Sequence, residues 1–273
     1  MSPKVSIITV SYNAGNSIVK TIESVLEQTY MSYEYVFIDG QSTDNTVDII
    51  ESYRAKFESK GIRFVVVSER DKGIYDAMNK GAQLAKGSWV LMLNAADQLV
   101  DNEVLASFFS KEFNDAHVLY GDTILRDGNF YKLSMAQPLD TITQAMPMCH
   151  QSIFVRRDII QEYQFDLQYK VAADYNQLLS CYLDKKIFQY VPQIVSIYDV
   201  AGTSEKNFRL TQKEQEMVRR VHKSNITHSR VRVIIRHKLA RILSHILPKW
   251  SRSEKRGWYG SAQKIKDTVY YKR

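Results

Sequence analysis

One carboxylate lies just beyond a short apolar segment of the chain. Residues 89–93 form that segment, WVLML, and Asp97 follows it. Such a run is typical of a buried strand in a parallel sheet, and open α/β sheets bind ligands beyond the carboxyl ends of their strands. Asp97 could therefore hold a divalent cation that carries a diphosphate. Alternatively, Asp97 is the N-cap of a helix predicted at 101–109, because Asp is a favoured N-cap residue.

Four apolar, strand-like segments alternate with segments of helical periodicity. The strands are predicted at 5–10, 35–38, 64–67 and 89–93. The first helix follows Ser17, its predicted N-cap residue, the second runs through 47–53, and the third spans 74–85 with Gly87 as its C-cap glycine. This alternation predicts βαβ units, a parallel sheet and right-handed crossovers.

The chain contains no glycine-rich phosphate loop. The turn after the first predicted strand, YNAGN at 12–16, does not match GxGxxG, and no GxxxxGK[ST] occurs anywhere. A bound nucleotide would therefore be held by side chains and a metal ion.

Four segments, taken together and in order, resemble the family 2 glycosyltransferases. They are VSIITVSYN at 5–13, FIDGQSTDNT at 37–46, DKGIYDAMNKG at 71–81 and LNAAD at 93–97. The third is similar to a segment of the bacterial exopolysaccharide and O-antigen branch, including the colanic-acid type. The resemblance covers roughly residues 4–204.

The resemblance implies a GT-A fold, an α/β architecture whose Rossmann-like, mostly parallel sheet is flanked by helices. It also implies transfer of a sugar from a UDP-, GDP- or dTDP-linked donor. Tyr12 would lie against the nucleoside, Asp39 would bind the base, and Asp97 would hold Mn²⁺ or Mg²⁺ on the diphosphate. The implied donor-binding residues are Val10, Tyr12, Asp39, Gly73, Asn79, Ala96 and Asp97.

The acidic motif departs from the family pattern. The usual motif has two acidic residues, whereas here Asn94, Ala95 and Ala96 leave Asp97 alone. Hard cations are usually held by one or two carboxylates together with phosphates, so one carboxylate is tolerable. The departure also motivates a rival hypothesis, a catalytically weak binding or assembly partner in the same pathway.

Three polar residues of the second half are further candidates. His150, in MPMCHQSIF, is similar to the family's His-Gln segment and is either structural or a ligand of phosphate or metal. Asp122 is either a turn carboxylate or part of the acceptor side. Asp174 is either a favourable charge at a helix N-terminus or, by resemblance, the general base of an inverting transfer. The sequence AGTS at 201–204 resembles a flexible loop over the donor or is a plain turn.

Composition narrows the class of protein. The chain has 273 residues and only two cysteines, which argues against a disulfide framework. We expect no signal peptide and no membrane span, because the first residues and the longest apolar runs fit neither.

The charge is divided unequally along the chain. Residues 205–273 contain 19 Lys/Arg and 5 Asp/Glu, whereas residues 1–204 contain 18 and 25. We therefore predict a catalytic domain at 1–204 and a basic helical extension at 205–273, with helices at 211–224 and 228–247. The second helix has an apolar stripe flanked by basic residues, a pattern typical of membrane-surface binding.

The extension leaves three interpretations open. It binds the anionic inner leaflet of the cell membrane, where a lipid-linked saccharide acceptor would be found. It packs on the catalytic domain. It binds nucleic acid, which we rank last because that leaves the acidic strand ends without a purpose. We therefore expect a cytoplasmic, peripherally membrane-associated enzyme with no nucleic-acid partner.

Overall fold

The computed structural model describes residues 3–200 and 208–223. One compact unit spans Met1–Val221 and a second spans His222–Arg273. The predicted loop at 201–204 and the predicted helix at 228–247 lie outside the described residues. Among the helices that the structure describes, none has the length and hydropathy needed to cross a bilayer.

Strands and helices alternate through the first half, as the sequence predicts. The strands are β1 (Val5–Ser11), β2 (Tyr33–Asp39), β3 (Arg63–Ser68), β4 (Trp89–Met92), β5 (Gln98–Leu99), β6 (Val118–Asp127), β7 (Phe130–Ser134), β8 (Ile153–Arg156) and β9 (Phe188–Asp199). The helices are α1 (Ile18–Leu26), α2 (Thr46–Ser52), α3 (Arg54–Ser59), α4 (Ile74–Leu84), α5 (Val104–Phe108), α6 (Arg157–Glu162), α7 (Ala173–Leu183) and α8 (Phe208–Val221).

The described strands form one sheet in the order β3-β2-β1-β4-β8-β6-β9-β5, with β7 paired to β6. The first four strands are parallel, which confirms the predicted parallel sheet. The second half is mixed, because β8 runs antiparallel to both β4 and β6, whereas β9 runs parallel to β6. The parallel register aligns Ser11, Asp39 and Ser68 at the carboxyl ends of β1, β2 and β3.

The core lies against the parallel part of the sheet. All seven residues of β1 and of β2 are buried, which explains their near-continuous β-branched and aromatic sequences. Helix α1 covers one face with Ile18, Ile22 and Val25. Next to them, Tyr35 packs edge-on against Phe57, with ring centroids 5.3 Å apart.

Gly87 corrects one prediction. It is not a C-cap glycine, because α4 ends at Leu84 and the C-cap residue is Ala85 in extended backbone. Gly87 instead lies against β1, where an added Cβ would be 2.4 Å from the backbone nitrogen of Ser6. Its N–H donates to the fully buried carboxylate of Glu34 at 2.9 Å. Glycine is required here because two backbone segments approach each other closely.

We expect Gly87→Ala to lower the free energy of unfolding by about 1–3 kcal/mol, the usual cost of forcing atoms into a well-packed site. Urea denaturation of the purified protein measures this loss. The matched control is Ser88→Ala, since Ser88 is exposed and its backbone carbonyl bond to Arg157 survives the change. Equal stability of the two variants would contradict the assignment of Gly87 to close packing.

Three further predictions are corrected. Helix α5 begins at Val104 with Glu103 as its N-cap residue, so Asp97 does not cap it. Ser17 makes no side-chain cap bond to α1, because its hydroxyl donates to the carbonyl of Ala14. Asp122 lies within β6 and is buried, so it is not a turn carboxylate.

Candidate active site

The turn after β4 directs Asp97 inward. Ala96 has a φ of +88°, a left-handed conformation that is costly for a residue with a Cβ. Two hydrogen bonds hold it there: its N–H donates to the Thr21 hydroxyl at 3.0 Å, and Arg126 donates to its carbonyl at 3.2 Å. Within the turn, the N–H of Asp97 donates to the carbonyl of Asn94 at 3.0 Å. The Asp97 residue is only 3% exposed.

Burial raises the pKa of Asp97 to about 7. The backbone N–H of Asp199 donates to Oδ1 at 3.0 Å and, with the side chain of Gln151, favours the charged form. The Asp199 carboxylate raises the pKa further, and the guanidinium of Arg126 lowers it. Arg126, on β6, also donates to Oδ2 of Asp199, on β9, at 2.8 Å. Strands β6 and β9 therefore meet the turn after β4 at the Asp97 carboxylate. A carboxyl group with this pKa exchanges its proton readily near neutral pH.

The oxygen atoms of this turn suit a hard divalent cation. Asn94 Oδ1 is buried and finds no hydrogen-bond partner among the described residues. Asn94 and Asp97 therefore offer an amide oxygen and a carboxylate from one turn, the ligand types that Mg²⁺ and Mn²⁺ accept. Within residues 3–200 and 208–223, no three His, Cys, Asp or Glu side chains form a metal cluster. Two protein oxygens do not complete the coordination of such an ion, so a cation here would take its remaining ligands from water and from oxygens of a bound substrate.

The residues predicted to bind the nucleoside occupy the carboxyl edge of β1 and β2. The Asp39 carboxylate is fully buried and accepts hydrogen bonds from Ser11, Ser42 and Ser68. Tyr12, in contrast, is 65% exposed. The role of Asp39 in binding the base stays a prediction.

Sequence reasoning missed Asp71, which follows β3. At Gly40 an added Cβ would lie 2.5 Å from Asp71 Oδ2 and 3.5 Å from the Tyr12 ring, so both side chains flank this glycine. Asp71 is partly exposed and its Oδ1 accepts the N–H of Gly73 at 2.8 Å. Its position just past a parallel strand is the signal that could have identified it, and the same applies to Asp199 at the end of β9.

The other predicted donor-binding residues, Val10, Gly73 and Asn79, differ in their surroundings. Val10 is buried, and its carbonyl accepts the N–H of Ala95 at 3.5 Å, next to the Asp97 turn. Gly73, with φ +121°, is the N-cap residue of α4 and has open space where a Cβ would be. The amide of Asn79 is fully engaged with the backbone of Phe165, donating at 2.8 Å and accepting at 2.9 Å. Asn79 therefore holds the segment before α7, and its role in binding the donor stays a prediction.

Asp174 lies in the first turn of α7 with two differently surrounded oxygens. Oδ1 accepts the hydroxyl of Tyr75 at 3.1 Å and the N–H of Tyr175 at 2.8 Å. Oδ2 lies 3.8 Å from Nδ1 of His150. The Tyr75 ring stacks on Phe165 at 5.4 Å, which fixes the hydroxyl that orients the carboxylate. The Asp174 side chain is 23% exposed, so part of it is open to solvent.

His150 is largely buried beside Asp174. Neither ring nitrogen has a hydrogen-bond partner among the described residues, although Asp174 lies near. Burial lowers the pKa of His150, and the Asp174 carboxylate opposes this shift. Burial also raises the pKa of the adjacent Cys149 to about 12, with Asp97 and Asp174 both adding to the effect. The two carboxylates thus act on one thiol, so Asp97, His150 and Asp174 belong to one region.

Comparisons with known proteins agree with this architecture. A family model described as glycosyl transferase family 2 matches residues 6–180. The chain is 33% identical over 205 residues to a PGL/p-HBAD biosynthesis glycosyltransferase of Mycobacterium bovis, covering 74% of this chain and 78% of that one. It is 27% identical to an amylovoran biosynthesis glycosyltransferase of Erwinia amylovora, covering 68% of this chain and 65% of that one.

Solved structures share the fold. Residues 1–349 of TarS from S. aureus, in complex with UDP-GlcNAc, match with a TM-score of 0.61 at 21% identity, covering 72% of this chain and 58% of that one. A mannosyltransferase from Pyrobaculum calidifontis, in complex with GDP-Man and Mn²⁺, matches with a TM-score of 0.62 at 16% identity, covering 80% and 63%. The chain therefore spans about three fifths of each of these two proteins.

Proposed function

Because the chain belongs to glycosyl transferase family 2 and is a glycosyltransferase, we propose a specific reaction for it. It transfers a sugar, with inversion, from a nucleotide-diphosphate sugar to a lipid-linked saccharide acceptor in bacterial surface polysaccharide assembly. The observation that carries this proposal is the different surroundings of two carboxylates in one region. Asp97 is buried in the turn that also carries the unpartnered amide oxygen of Asn94. The Asp174 side chain is 23% exposed, and its Oδ1 accepts the bonds from Tyr75 and Tyr175.

In the proposed reaction Asp174 is the general base. Oδ1 is engaged by Tyr75 and Tyr175, so Oδ2 is the oxygen that takes the proton of the acceptor hydroxyl. The hydroxyl oxygen forms a bond to the anomeric carbon as the bond from that carbon to the diphosphate oxygen breaks. A single displacement inverts the anomeric centre, and no second carboxylate is needed as a nucleophile. Burial lowers the pKa of His150, which favours the neutral ring, and both ring nitrogens lack hydrogen-bond partners among the described residues, so this side chain would bind phosphate or metal.

The proposed metal site is the Asp97 turn. Asp97 and Asn94 would hold Mn²⁺ or Mg²⁺ with oxygens of the donor diphosphate. When bound, such an ion neutralises charge that develops on the leaving nucleotide diphosphate. The chain's own Arg126, paired with Asp199, adds a positive charge near the same carboxylate. Tyr12 and Asp71 flank Gly40 and would receive the nucleoside.

A donor panel tests the proposal. Purified protein is incubated with UDP-, GDP- and dTDP-sugars, with and without Mn²⁺, while nucleotide diphosphate release and thermal stability are followed. We expect one donor to be hydrolysed slowly and to stabilise the fold only with the metal. If no donor stabilises the protein under either condition, the catalytically weak partner becomes the better hypothesis.

The proposal of a lipid-linked acceptor at the membrane is based on the relatives and on the sequence of residues 228–247, which lie outside the described residues. Relatives are named for biosynthesis of bacterial glycans such as amylovoran, and the basic residues at 228–247 are interspersed with an apolar stripe. We propose that this segment attaches the enzyme to the anionic inner leaflet, where a lipid-linked acceptor is presented. Co-sedimentation with phosphatidylglycerol vesicles, but not with phosphatidylcholine vesicles, is expected. Equal recovery in both pellets, or in neither, would argue against electrostatic attachment.

A further inference from the structure

The carboxylate of Glu214, on α8, is buried against the chain just before α7. Glu214 is 5% exposed. Its two oxygens accept the backbone N–H of Lys170 at 2.9 and 3.0 Å, of Val171 at 2.9 Å and of Ala172 at 3.1 Å. Three consecutive backbone donors thus converge on one acidic side chain more than 40 residues away in sequence.

These N–H groups belong to the N-cap residue of α7, Ala172, and to the two residues before it. The first N–H groups of a helix have no acceptor within the helix, and a negative charge near that end is favourable. Ala172, the N-cap residue of α7, has a side chain that cannot accept a hydrogen bond, and the structure records no side-chain cap there. Glu214 accepts the N–H of the N-cap residue Ala172 from another helix, a bond that the Glu of a capping box supplies locally, and it also accepts the N–H groups of Lys170 and Val171. Asp174 follows only two residues after Ala172.

Helix α8 is itself firmly seated on the compact unit. Val218, one helical turn after Glu214, is fully buried. Arg219 donates to the carbonyl of Gln144 at 2.7 Å, and Tyr175 donates to the carbonyl of Ile142 at 2.8 Å, so α7 and α8 hold the same short segment. These contacts hold α8 in place, so the Glu214 carboxylate can in turn hold the backbone at 170–172.

We infer that Glu214 is a positioning residue for the transfer reaction: it holds the backbone at 170–172 and thereby sets the direction of Asp174. This inference rests on the proposed role of Asp174 as the base. Removing the cap would let the first turn of α7 shift, which moves Oδ2 relative to the acceptor hydroxyl. Small displacements of a catalytic group are costly, since misplacement by about 1 Å can reduce rate about 10²-fold. The residues proposed to receive the nucleoside lie at the carboxyl ends of β1 and β2 and in the connection after β3, so we expect the affinity for the donor nucleotide to change little.

The test is Glu214→Gln, which keeps the shape of the side chain but removes its charge and one of its acceptor oxygens. We expect kcat for transfer to fall about 10- to 100-fold, while the Kd for the donor nucleotide changes less than about twofold. The matched control is Glu216→Gln on the same helix, where a 46%-exposed carboxylate pairs with Arg219 and Arg220. That control is expected to retain kcat within about twofold, because surface ion pairs contribute little. An unchanged kcat in Glu214→Gln, or equal losses in kcat and donor affinity, would overturn the inference.

A double-mutant cycle separates positioning from general stabilisation. If Glu214 acts through Asp174, adding Glu214→Gln to Asp174→Asn should lower kcat by less than about twofold, although it is costly alone. Multiplicative losses would show that Glu214 acts independently, and the inference would fail. If Asp174→Asn itself retains full turnover, the proposed base fails first, which is a distinguishable result. Should the glutamine variant not fold, Glu214→Asp retains the charge on a shorter side chain, and a partial loss of kcat in that variant is required.

Discussion

Replacing Asp174 with asparagine is expected to lower kcat for sugar transfer by about 10²–10⁴-fold, the usual contribution of a positioned general base. Asparagine is nearly isosteric and keeps an oxygen that can accept the bond from Tyr75. It cannot accept a proton from the acceptor hydroxyl at neutral pH. Folding and donor affinity should therefore persist while the chemical step is lost.

The measurement is single-turnover transfer to an acceptor saccharide, with donor affinity determined separately by calorimetry. Asp166→Asn is a suitable control, because Asp166 lies in the same connection before α7 and its carboxylate accepts hydrogen bonds from the backbone and side chain of the exposed Gln168. Tyr75→Phe should give a smaller loss, since it removes one hydrogen bond to Oδ1 and leaves the base in place. Full turnover in Asp174→Asn would exclude this residue as the base.

Replacing Asp97 with asparagine is expected to have opposite effects on stability and on activity. Burial raises the pKa of Asp97 from 3.8 to about 7, so between these values the folded protein retains a proton that the unfolded chain has lost. The contribution of Asp97 to stability is therefore fully favourable below about pH 4, declines as the pH rises through this window, and stays low above pH 7. At pH 8 without metal, Asp97→Asn should be more stable by about 2–4 kcal/mol.

The same substitution should abolish stabilisation by metal and donor and lower transfer by at least about 10²-fold. In the parent protein, metal affinity should fall as the pH drops below 7, because the ion and the proton compete for one carboxylate. Denaturation at pH 5 and pH 8, with and without Mn²⁺, measures both effects. Asp101→Asn, an exposed carboxylate nearby, is expected to change neither. A metal response that survives in Asp97→Asn would refute the assigned metal site.

The parallel half of the sheet could be predicted because local and long-range signals agree there. β1 and β2 are buried on both faces, so their sequences are mostly apolar, and α1 shows an apolar stripe at helical spacing. The carboxyl ends of such strands meet at one edge, which is why Asp97 could be selected without coordinates, whereas Asp39 is selected through the family resemblance.

Other features depend on tertiary contacts that leave no local signal. Gly87 has the sequence position of a helix terminator, yet its conformation is set by the approach of β1 and by Glu34. Asn79 lies in a segment that resembles a donor-binding motif, yet its amide binds the backbone of Phe165, which is distant in sequence. Asp199 reaches Asp97 only because β9 pairs with both β6 and β5.

The bonds of Glu214 also decide where this chain can be shortened. A version that stops at residue 204, the boundary suggested by charge alone, would lack α8 and would leave three backbone amides before α7 without their acceptor. Their hydrogens should then exchange with deuterated solvent much faster than in the intact protein, and proteases should gain a cleavage site in that connection. A version that stops after Lys223 should keep these amides slow to exchange and its α7 uncut.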